Sequence, residues 1–354
     1  MSGTLTIALA SLGGVVLAGI VAHGAWQARR AGPKRAMATD ANAEPREPVM
    51  DGVLGGADPD AITDPADLPP APPERRPGKR VVQKLDALID SIATLTLEAP
   101  ISGSFALSHL PPSRRAGGKP FLIEGLNAES GEWEFPAAGQ RYGEFQAGVQ
   151  LANRTGPLNE IEFSEFVQKI QVFADGIGAM PDFPDMLEAV AAARELDSYA
   201  SEHDAQLVVR LQARAAAWSV GYIQQHALRH AFVPGVVPGR LVLPSADEGA
   251  PPVLTLTFDP QAALADDPNL SAVRDVTLSF DVPQTAAAVQ PFAAWQTSAQ
   301  TLAAEMDATI VDDHGRPLGP ESFAAIGNDL GQLYAALEER ELAAGSAAAR
   351  RLFS

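Results

Sequence analysis

Residues 276–281 read Val276-Thr-Leu-Ser-Phe-Asp281, and residues 253–258 read Val253-Leu-Thr-Leu-Thr-Phe258. Apolar and polar residues alternate in both stretches, which is typical of antiparallel strands with one covered face and one open face. Ile92–Ala99 and Asp204–Ala213 carry related patterns and predict two further strands. A sheet that is covered on one side needs helices or a second sheet to cover it.

Helices are predicted beside these strands. Apolar residues recur at helical spacing in four segments: Asp185–Glu202, Trp218–Arg229, Val289–Met306 and Pro320–Glu341. Proline followed by an acidic residue is a favourable helix start, and Pro320 with Glu321 fits it. The sequence therefore predicts an α+β fold, with an antiparallel sheet packed on helices.

An internal repeat is visible. Ala200–Val208 aligns with Ala303–Val311 with five identities in nine, and each stretch joins an alanine-rich helix to a strand. A strand near Phe166–Phe173 is expected to precede the first helix, as Val276–Phe280 precedes the second. Alanine-rich helices can imitate a repeat, but the pattern favours duplication, as two sheet-plus-helix units or one enlarged sheet.

The amino-terminal segment predicts a membrane anchor. Residues 5–26 contain no charged residue, and 22 helical residues at about 1.5 Å each would cross a hydrocarbon core of about 30 Å. Arg29 and Arg30 follow directly, so the positive-inside rule places the amino terminus in the periplasm and the rest in the cytoplasm. A cleaved signal peptide is the alternative, although the basic start it needs is missing.

Two further features bear on the anchor. The chain has no cysteine, which excludes disulfides and thioether or thioester lipid anchors on cysteine. Small residues recur every fourth position along one face of the predicted span and could allow close helix association as a homodimer, or could arise by chance: Ala10, Gly14, Ala18 and Ala22.

Residues 29–84 are predicted to form a disordered linker. Ten prolines lie between Pro33 and Pro77, among Ala, Gly, Asp and Glu, so little apolar surface is available to offset the entropy of ordering. The net charge of the chain is −18, which disfavours nucleic acid as a partner. We expect four segments: an anchor (1–28), the linker (29–84), an extra α+β unit (85–204) and a last α+β domain (205–345).

The segment Ala205–Glu339 resembles the C-terminal domain of the ZipA family of cell-division proteins. The resemblance lies in the order of the strand Gln206–Leu211, a helix ending Gln224-Gln225-His226, the short strand Gly239–Leu243, the two alternating strands, a strand end at Val282-Pro283, and Thr309–Asp313 before the helix at Pro320. It covers the later part of the chain, and the anchor and proline-rich linker fit the same family.

The resemblance implies a fold and a partner. Members of the ZipA family are inner-membrane proteins that tether polymers of the tubulin-like protein FtsZ, and their C-terminal domain is a split β-α-β fold. The FtsZ C-terminal tail lies in a shallow apolar groove on the sheet face away from the helices, where a few apolar anchors carry the affinity. By resemblance, FtsZ is the expected partner here, and no cofactor is expected.

Strand alternation predicts which residues line that face. Gln206 and Val208 should point outward, and so should Ser279, where the family carries an aromatic residue. This lining is polar for an apolar groove. Three explanations stay open: Leu241, Leu243 and Phe258 supply the apolar contact, the extra unit covers the face, or FtsZ binds differently, for example at residues 85–204.

Catalytic and metal-binding motifs are weak. His226 and His230 stand one helical turn apart without the Glu of a metalloprotease motif, so a solvated helix face is expected rather than a metal site. Asp312-Asp313-His314-Gly315 is interpreted as a turn at a strand end.

The sequence leaves three functions to compare. The prediction is a non-enzymatic inner-membrane protein that binds the FtsZ tail at the division site and stabilises the Z-ring. A scaffold of envelope assembly with the same fold and a different protein partner is the alternative. A membrane-anchored enzyme is disfavoured, because no nucleophile or phosphate-loop motif is found.

Overall fold

The computed structural model describes residues 84–247, 249–265, 267 and 270–354. The predicted membrane span, its small-residue face and all but the last residue of the predicted linker lie outside this part of the chain. None of the helices in the described part has both the length and the apolar character needed to cross a bilayer.

Residues 84–204, called the first unit below, build one sheet and two long helices. The elements are β1 (Asp90–Ser102), α1 (Gly103–His109), β2 (Arg115–Ala116), β3 (Lys119–Asn127), β4 (Trp133–Glu134), β5 (Arg141–Gln150), β6 (Ala152–Asn153), β7 (Gly156–Pro157), α2 (Glu160–Ile177), β8 (Ala179–Asp182) and α3 (Met186–His203). The strand order is β2-β3-β5-β1-β8, with β4 paired to β3, and β6-β7 form a small separate hairpin.

Residues 205–354, called the second unit, build another sheet. The elements are β9 (Gln206–Ala213), α4 (Val220–Arg229), β10 (Val233–Pro234), β11 (Arg240–Leu243), β12 (Leu254–Thr257), α5 (Pro260–Ala263), β13 (Asp275–Asp281), a 3-10 turn (Ala287–Val289), α6 (Pro291–Glu305), β14 (Ala308–Val311), α7 (Pro320–Glu339) and α8 (Ala347–Leu352). The strand order is β10-β11-β12-β13-β9-β14, and every pairing is antiparallel.

The two units share one topology. In each, a central strand leads through a helix and a meander to a second helix, an edge strand and a final long helix. The central strand, β1 or β9, pairs antiparallel with the last meander strand on one side and with the edge strand on the other. The strand orders thus show a duplicated α+β topology with two separate sheets, and not one enlarged sheet.

The sequence alignment of the repeat had the wrong register. Ala200–Val208 joins α3 to β9, whereas Ala303–Val311 joins α6 to β14, and the counterpart of β14 in the first unit is β8. Phe166–Phe173, predicted as a strand, lies inside α2. The error has a physical source, because each unit has two helices and an alanine-rich helix precedes a strand in both matched stretches.

Side-chain caps and a proline mark the starts of four helices. Asn159 forms a capping box with Glu162 at the start of α2, and Asp185 and Ser219 cap α3 and α4 through their side chains. Pro320 is the first residue of α7, as predicted. These caps satisfy backbone N–H groups that otherwise lack partners.

Each sheet has its own core on the face that carries the helices. In the first unit Phe145 packs edge-on against Phe173 of α2, with ring centroids 5.6 Å apart. In the second unit Trp295 of α6 is buried and its Nε1 donates to the carbonyl of Leu278, 3.1 Å away. The cores therefore confirm helices packed on one face of each antiparallel sheet.

The last helix of the chain returns to the first unit. Ala349, Leu352 and Phe353 lie in the first core. The buried side chain of Arg351 pairs with both carboxylate oxygens of buried Asp90, at 2.5 and 2.7 Å, and also donates to the carbonyl of Lys84 at 3.0 Å. Burial raises the pKa of Asp90 above its ordinary value, and the Arg351 guanidinium opposes that rise.

A second ionic contact joins the units. Arg154, after the hairpin strand β6, pairs with Asp204 at the end of α3 and with Asp281 at the end of β13, at 2.5 and 2.7 Å. Both carboxylates raise the pKa of Arg154. The first and second units accordingly belong to one compact body in the described part of the chain.

We expect Arg351→Met to destabilise the protein by about 3–5 kcal/mol, because Asp90 would be left as a buried, unpaired carboxylate. Denaturant unfolding of the full chain in detergent measures this loss. The control Arg194→Met removes a more exposed pair with Glu160 and should cost at most about 1 kcal/mol. Equal losses in the two variants would contradict the role given to the buried pair.

Candidate functional site

The second sheet has an inner face toward the helices and an outer face away from them. In β9, Val209 and Leu211 are fully buried in the second core, whereas Gln206 and Val208 are exposed and Arg210 is half-buried. This is the alternation that the sequence predicts for the strand. The outer face of the second sheet is the candidate site.

One row of side chains crosses the outer face over five strands. The strand register aligns Val208, Ser279, Thr255, Val242 and Val233 side by side. We call this set the valine row. Val208 is 37% exposed and Val233 is 41% exposed, while Ser279 in the centre is buried. The row thus has an apolar residue at one end, two at the other, and small hydroxyl residues between.

A second row lies two residues further along the strands. It consists of Arg210, Thr277, Thr257 and Arg240, again aligned by the register, and we call it the arginine row. Three strand spacings of about 4.8 Å place the two arginine backbones roughly 14 Å apart. The outer face therefore offers two cations beside an apolar and hydroxyl-bearing strip.

The two guanidinium groups are incompletely paired. Arg210 Nη2 donates to the carbonyls of Asp312 and Asp313, at 3.3 and 3.0 Å, and Arg240 Nη2 donates weakly to Thr255 Oγ1 at 3.4 Å. The Nε atoms of both arginines are buried without an acceptor in the described part of the chain. A buried donor without a partner costs about 1–3 kcal/mol.

A groove opens at the β10–β11 end of this face. It encloses about 730 Å³ between the two short strands, the turn that joins them and the loop after β11, and its lining includes Val233, Val242, Arg240, Pro244 and Pro252. Val236 and Val237 at the turn are exposed, Val236 completely. Exposed apolar residues next to a concavity are typical of a docking surface.

The six residues predicted for the peptide site divide between the two faces. Gln206, Val208 and Ser279 lie on the outer face. Leu241 and Phe258 are buried in the second core, and Leu243 packs against it. Leu241 pairs with buried Leu256, and Leu243 pairs with buried Leu254.

The assignment of Leu241, Leu243 and Phe258 to the groove is therefore corrected, because their side chains fill the inner face. The apolar lining comes instead from Val233, Val242 and the Val236–Val237 turn, which the sequence reasoning missed. Alternation applied to β11 could have found Val242, since it stands between Leu241 and Leu243.

The first unit contacts this face at the end of β13, where Arg154 pairs with Asp281, but the exposed side chains of Gln206 and Val208 show that it does not cover β9. The corresponding face of the first sheet is different. The first residues of β8 and β14 pair with Leu97 and Ala213, and aligning these pairs places Gly148 where the second unit has Ser279. The two faces can therefore be compared residue by residue.

Leu85 covers the first sheet at the position of Gly148. A Cβ on Gly148 would lie 2.4 Å from Leu85 Cδ2. The backbone N–H of Leu85 donates to Glu124 Oε1 at 2.9 Å, and Gln146 Nε2 donates to the other oxygen of Glu124 at 2.8 Å. In the first unit, the chain's own segment thus lies over the position that Ser279 holds in the second unit.

The histidine pair has a structural role. His226 Nδ1 lies 3.0 Å from Glu305 Oε2, and His230 Nε2 lies 3.2 Å from Glu305 Oε1, so the pair joins α4 to the end of α6. The predicted solvated face is wrong for His226, which is buried. Within the described ranges, no group of three or more His, Asp or Glu side chains could hold a metal ion.

The turn predicted after the last strand is present. Asp312 Oδ1 accepts from the backbone N–H groups of His314 and Arg316, at 2.9 and 2.8 Å, and Gly315 has a positive φ of 79°. The same turn supplies the two carbonyls that hold Arg210. It is part of the support of the outer face.

Part of the second unit matches a known protein family. Residues 261–329 match the family described as the ZipA C-terminal FtsZ-binding domain, and this stretch includes β13, α6, β14 and half of α7. The chain is ZipA-like in this segment, which supports an FtsZ-binding role in cell division. No curated protein matches the chain.

Leu241→Ala should destabilise the protein by about 2–5 kcal/mol, because Leu241 is 2% exposed and its loss leaves a cavity. Val208→Ala on the outer face should change stability by only about 0.5 kcal/mol. Denaturant unfolding of both variants tests the assignment of faces. A destabilisation of Val208→Ala that equals that of Leu241→Ala would contradict it.

Glu305→Gln should lower stability only above the acidic range. Hydrogen bonds from His226, and then from His230, hold the pKa of Glu305 below its ordinary value of 4.5. A lowered carboxylate pKa stabilises the fold above that ordinary value, and the benefit disappears as the pH falls through the lowered pKa. Thermal unfolding midpoints of the two proteins should differ at neutral pH and converge in acid.

The matched control for this test is Glu202→Gln at an exposed position of α3, which should leave the unfolding midpoint nearly unchanged. A difference for Glu305→Gln that stays constant from neutral to acidic pH would show that the carboxylate charge is not what stabilises the contact.

Proposed function

We propose that the outer face of the second sheet binds the C-terminal tail of FtsZ, and that the chain tethers FtsZ filaments to the inner membrane. The observation that carries the proposal is the open groove of about 730 Å³ beside the valine row, in the unit that contains the ZipA-like segment. The first unit contacts this face at Asp281 through Arg154, but the exposed side chain of Val208 leaves the valine row accessible to an extended peptide at β9.

The geometry suits a short peptide. The valine row spans five strands, roughly 19 Å at about 4.8 Å per strand spacing, which is the length of about six extended residues. Val242 and Val233 lie in the groove and Val208 lies at the far end of the row. A peptide with two or three apolar anchors would bury these valines, and a few such anchors carry most of the affinity in peptide recognition.

The tethering part of the proposal comes from the sequence. A span at residues 5–26 would hold the chain in the inner membrane with its amino terminus in the periplasm, and the linker of residues 29–84 would let the sheet reach filaments away from the bilayer. Confinement at the membrane raises the effective concentration of the binding face. Self-association through Ala10, Gly14, Ala18 and Ala22 would add avidity.

The same face serves the alternative that the sequence left open. A scaffold of envelope assembly would also use the outer face, with another protein in the groove. The polar centre of the valine row, Thr255 and Ser279, is the observation that favours a partner with fewer apolar anchors than the family pattern implies. Neither proposal involves catalysis.

Binding of a fluorescent FtsZ tail peptide to the full chain in detergent tests the proposal. We expect saturable binding that Val242→Glu weakens at least about tenfold, because a charge in the groove must be desolvated by the peptide. Val172→Glu is the matched control, since Val172 is exposed on α2 of the first unit, and it should leave the affinity unchanged.

Two outcomes would contradict the proposal. If no peptide binding is measured, the partner is not the FtsZ tail, and the scaffold alternative gains. If binding is equal in the unmodified protein and in Val242→Glu, the tail binds elsewhere in the chain. Unfolding of both variants, measured alongside, shows that a loss of binding is not a loss of fold.

A further inference from the structure

We infer that the outer face of the second sheet selects a peptide that carries carboxylates beside its apolar anchor, and that Arg240 and Arg210 bind them. The inference rests on the proposed function and names the chemistry of the ligand that the same face takes. It follows from two observations, the state of the arginine row and the occupied face of the first unit.

The arginine row is under-paired in a strongly acidic protein. The chain carries a net charge of −18, yet neither Arg240 nor Arg210 forms an ion pair with a carboxylate in the part of the chain that the structure describes. Other arginines, including Arg154, Arg316 and Arg351, each pair with at least one carboxylate, although Arg141 and Arg229, for example, also lack an ion pair among the described residues. Two such cations on one open face attract an anionic ligand and repel a cationic one.

Hydrogen-bonding capacity is also left over. The Arg210 side chain donates to two backbone carbonyls, and among the described residues the Arg240 side chain donates only to Thr255 Oγ1, at 3.4 Å. The Nε atoms of both are buried without an acceptor among the described residues. A guanidinium with free donors matches a carboxylate better than any other peptide group, because the two can form parallel charge-assisted hydrogen bonds.

The first unit shows how a segment lies on such a face. Leu85 places its side chain over Gly148 and its backbone N–H on Glu124. The equivalent positions in the second unit are Ser279 and Thr257, so the apolar anchor of a ligand would sit over the valine row, above Ser279. In the first unit the neighbouring row carries an acid that accepts from the segment, and in the second unit it carries arginines that donate.

The change from an acid to arginines determines which charge the ligand should carry. The rows are two residues apart along the strands, about 6.8 Å at 3.4 Å per residue. An anchor over Ser279 therefore brings its neighbouring residues within reach of the arginine row, where carboxylates would meet Arg240 on one side and Arg210 on the other. Asp247 also lies on the rim of the groove and disfavours an acid placed beside the loop after β11.

The test compares two peptides on the full chain in detergent. One is the fluorescent FtsZ tail peptide, and the other is a copy in which every Asp and Glu is replaced by Asn or Gln and the C-terminus is amidated. We expect the neutralised copy to bind about tenfold more weakly, and the difference to shrink at high salt because the pairs lie near the surface.

Arg240→Gln should weaken binding of the unmodified peptide about tenfold. It should leave binding of the neutralised copy nearly unaffected, because that peptide has no carboxylate for Arg240 to bind. Arg210→Lys keeps the charge while removing the fork of donors, and should give a smaller loss. Arg229→Gln is the control and should change neither affinity, because Arg229 is an exposed residue of α4, which packs on the inner face of the sheet.

The outcomes separate the two ideas. If both peptides bind equally, and Arg240→Gln binds as the unmodified protein does, the inference is overturned while the proposed function stands. If neither peptide binds, the proposed function fails and the inference with it. A loss for Arg240→Gln that is the same with both peptides would also overturn the inference, because it would show a structural role for Arg240 instead of a carboxylate contact.

Discussion

The buried pair of Arg351 and Asp90 joins the two ends of the described chain. Through it α8, the last helix, is held in the core of the first unit, and the carbonyl of Lys84, at the end of the predicted linker, is fixed by the same guanidinium. Both side chains are desolvated, so removing either one would leave the other as an uncompensated buried charge. Leu85 consequently stays over the first sheet, and the point where the linker enters the fold is set.

The two units share one topology but differ in what covers their outer faces. In the first unit, residues 84–85 close the outer face, and Glu124 receives the backbone of that segment. In the second unit the equivalent face is open, bordered by Arg210 and Arg240 and extended by the groove at β10 and β11. A duplicated fold thus yields one face occupied by the chain itself and one face available to a partner.

The sequence predicted the parts of this account that depend on local patterns. Clean alternation located β9, β12 and β13 and told Val208 from Val209, because a half-covered strand shows its faces in period two. The prediction failed for Leu241, Leu243 and Phe258, because their apolar character was taken as a sign of the groove. In β11, Arg240 and Val242 face outward and Leu241 and Leu243 face the core.

The remaining features depend on distant contacts. Asp90 and Arg351 are 261 residues apart, and the valine row exists only because the register aligns five strands. β3 and β5, which no pattern singled out, have residues buried on both faces and carry Gly125 and Gly148. Such strands lack a simple alternation, so their pairing could not be foreseen from the residues alone.

Hydrogen–deuterium exchange of the full chain, with and without the FtsZ tail peptide, tests most directly whether the partner lies on the outer face of the second sheet. The account predicts slower exchange in residues 206–211 and 233–244 on peptide addition, with residues 119–127 and 141–150 of the first sheet unchanged. Protection of the first sheet, with residues 233–244 unaffected, would contradict it.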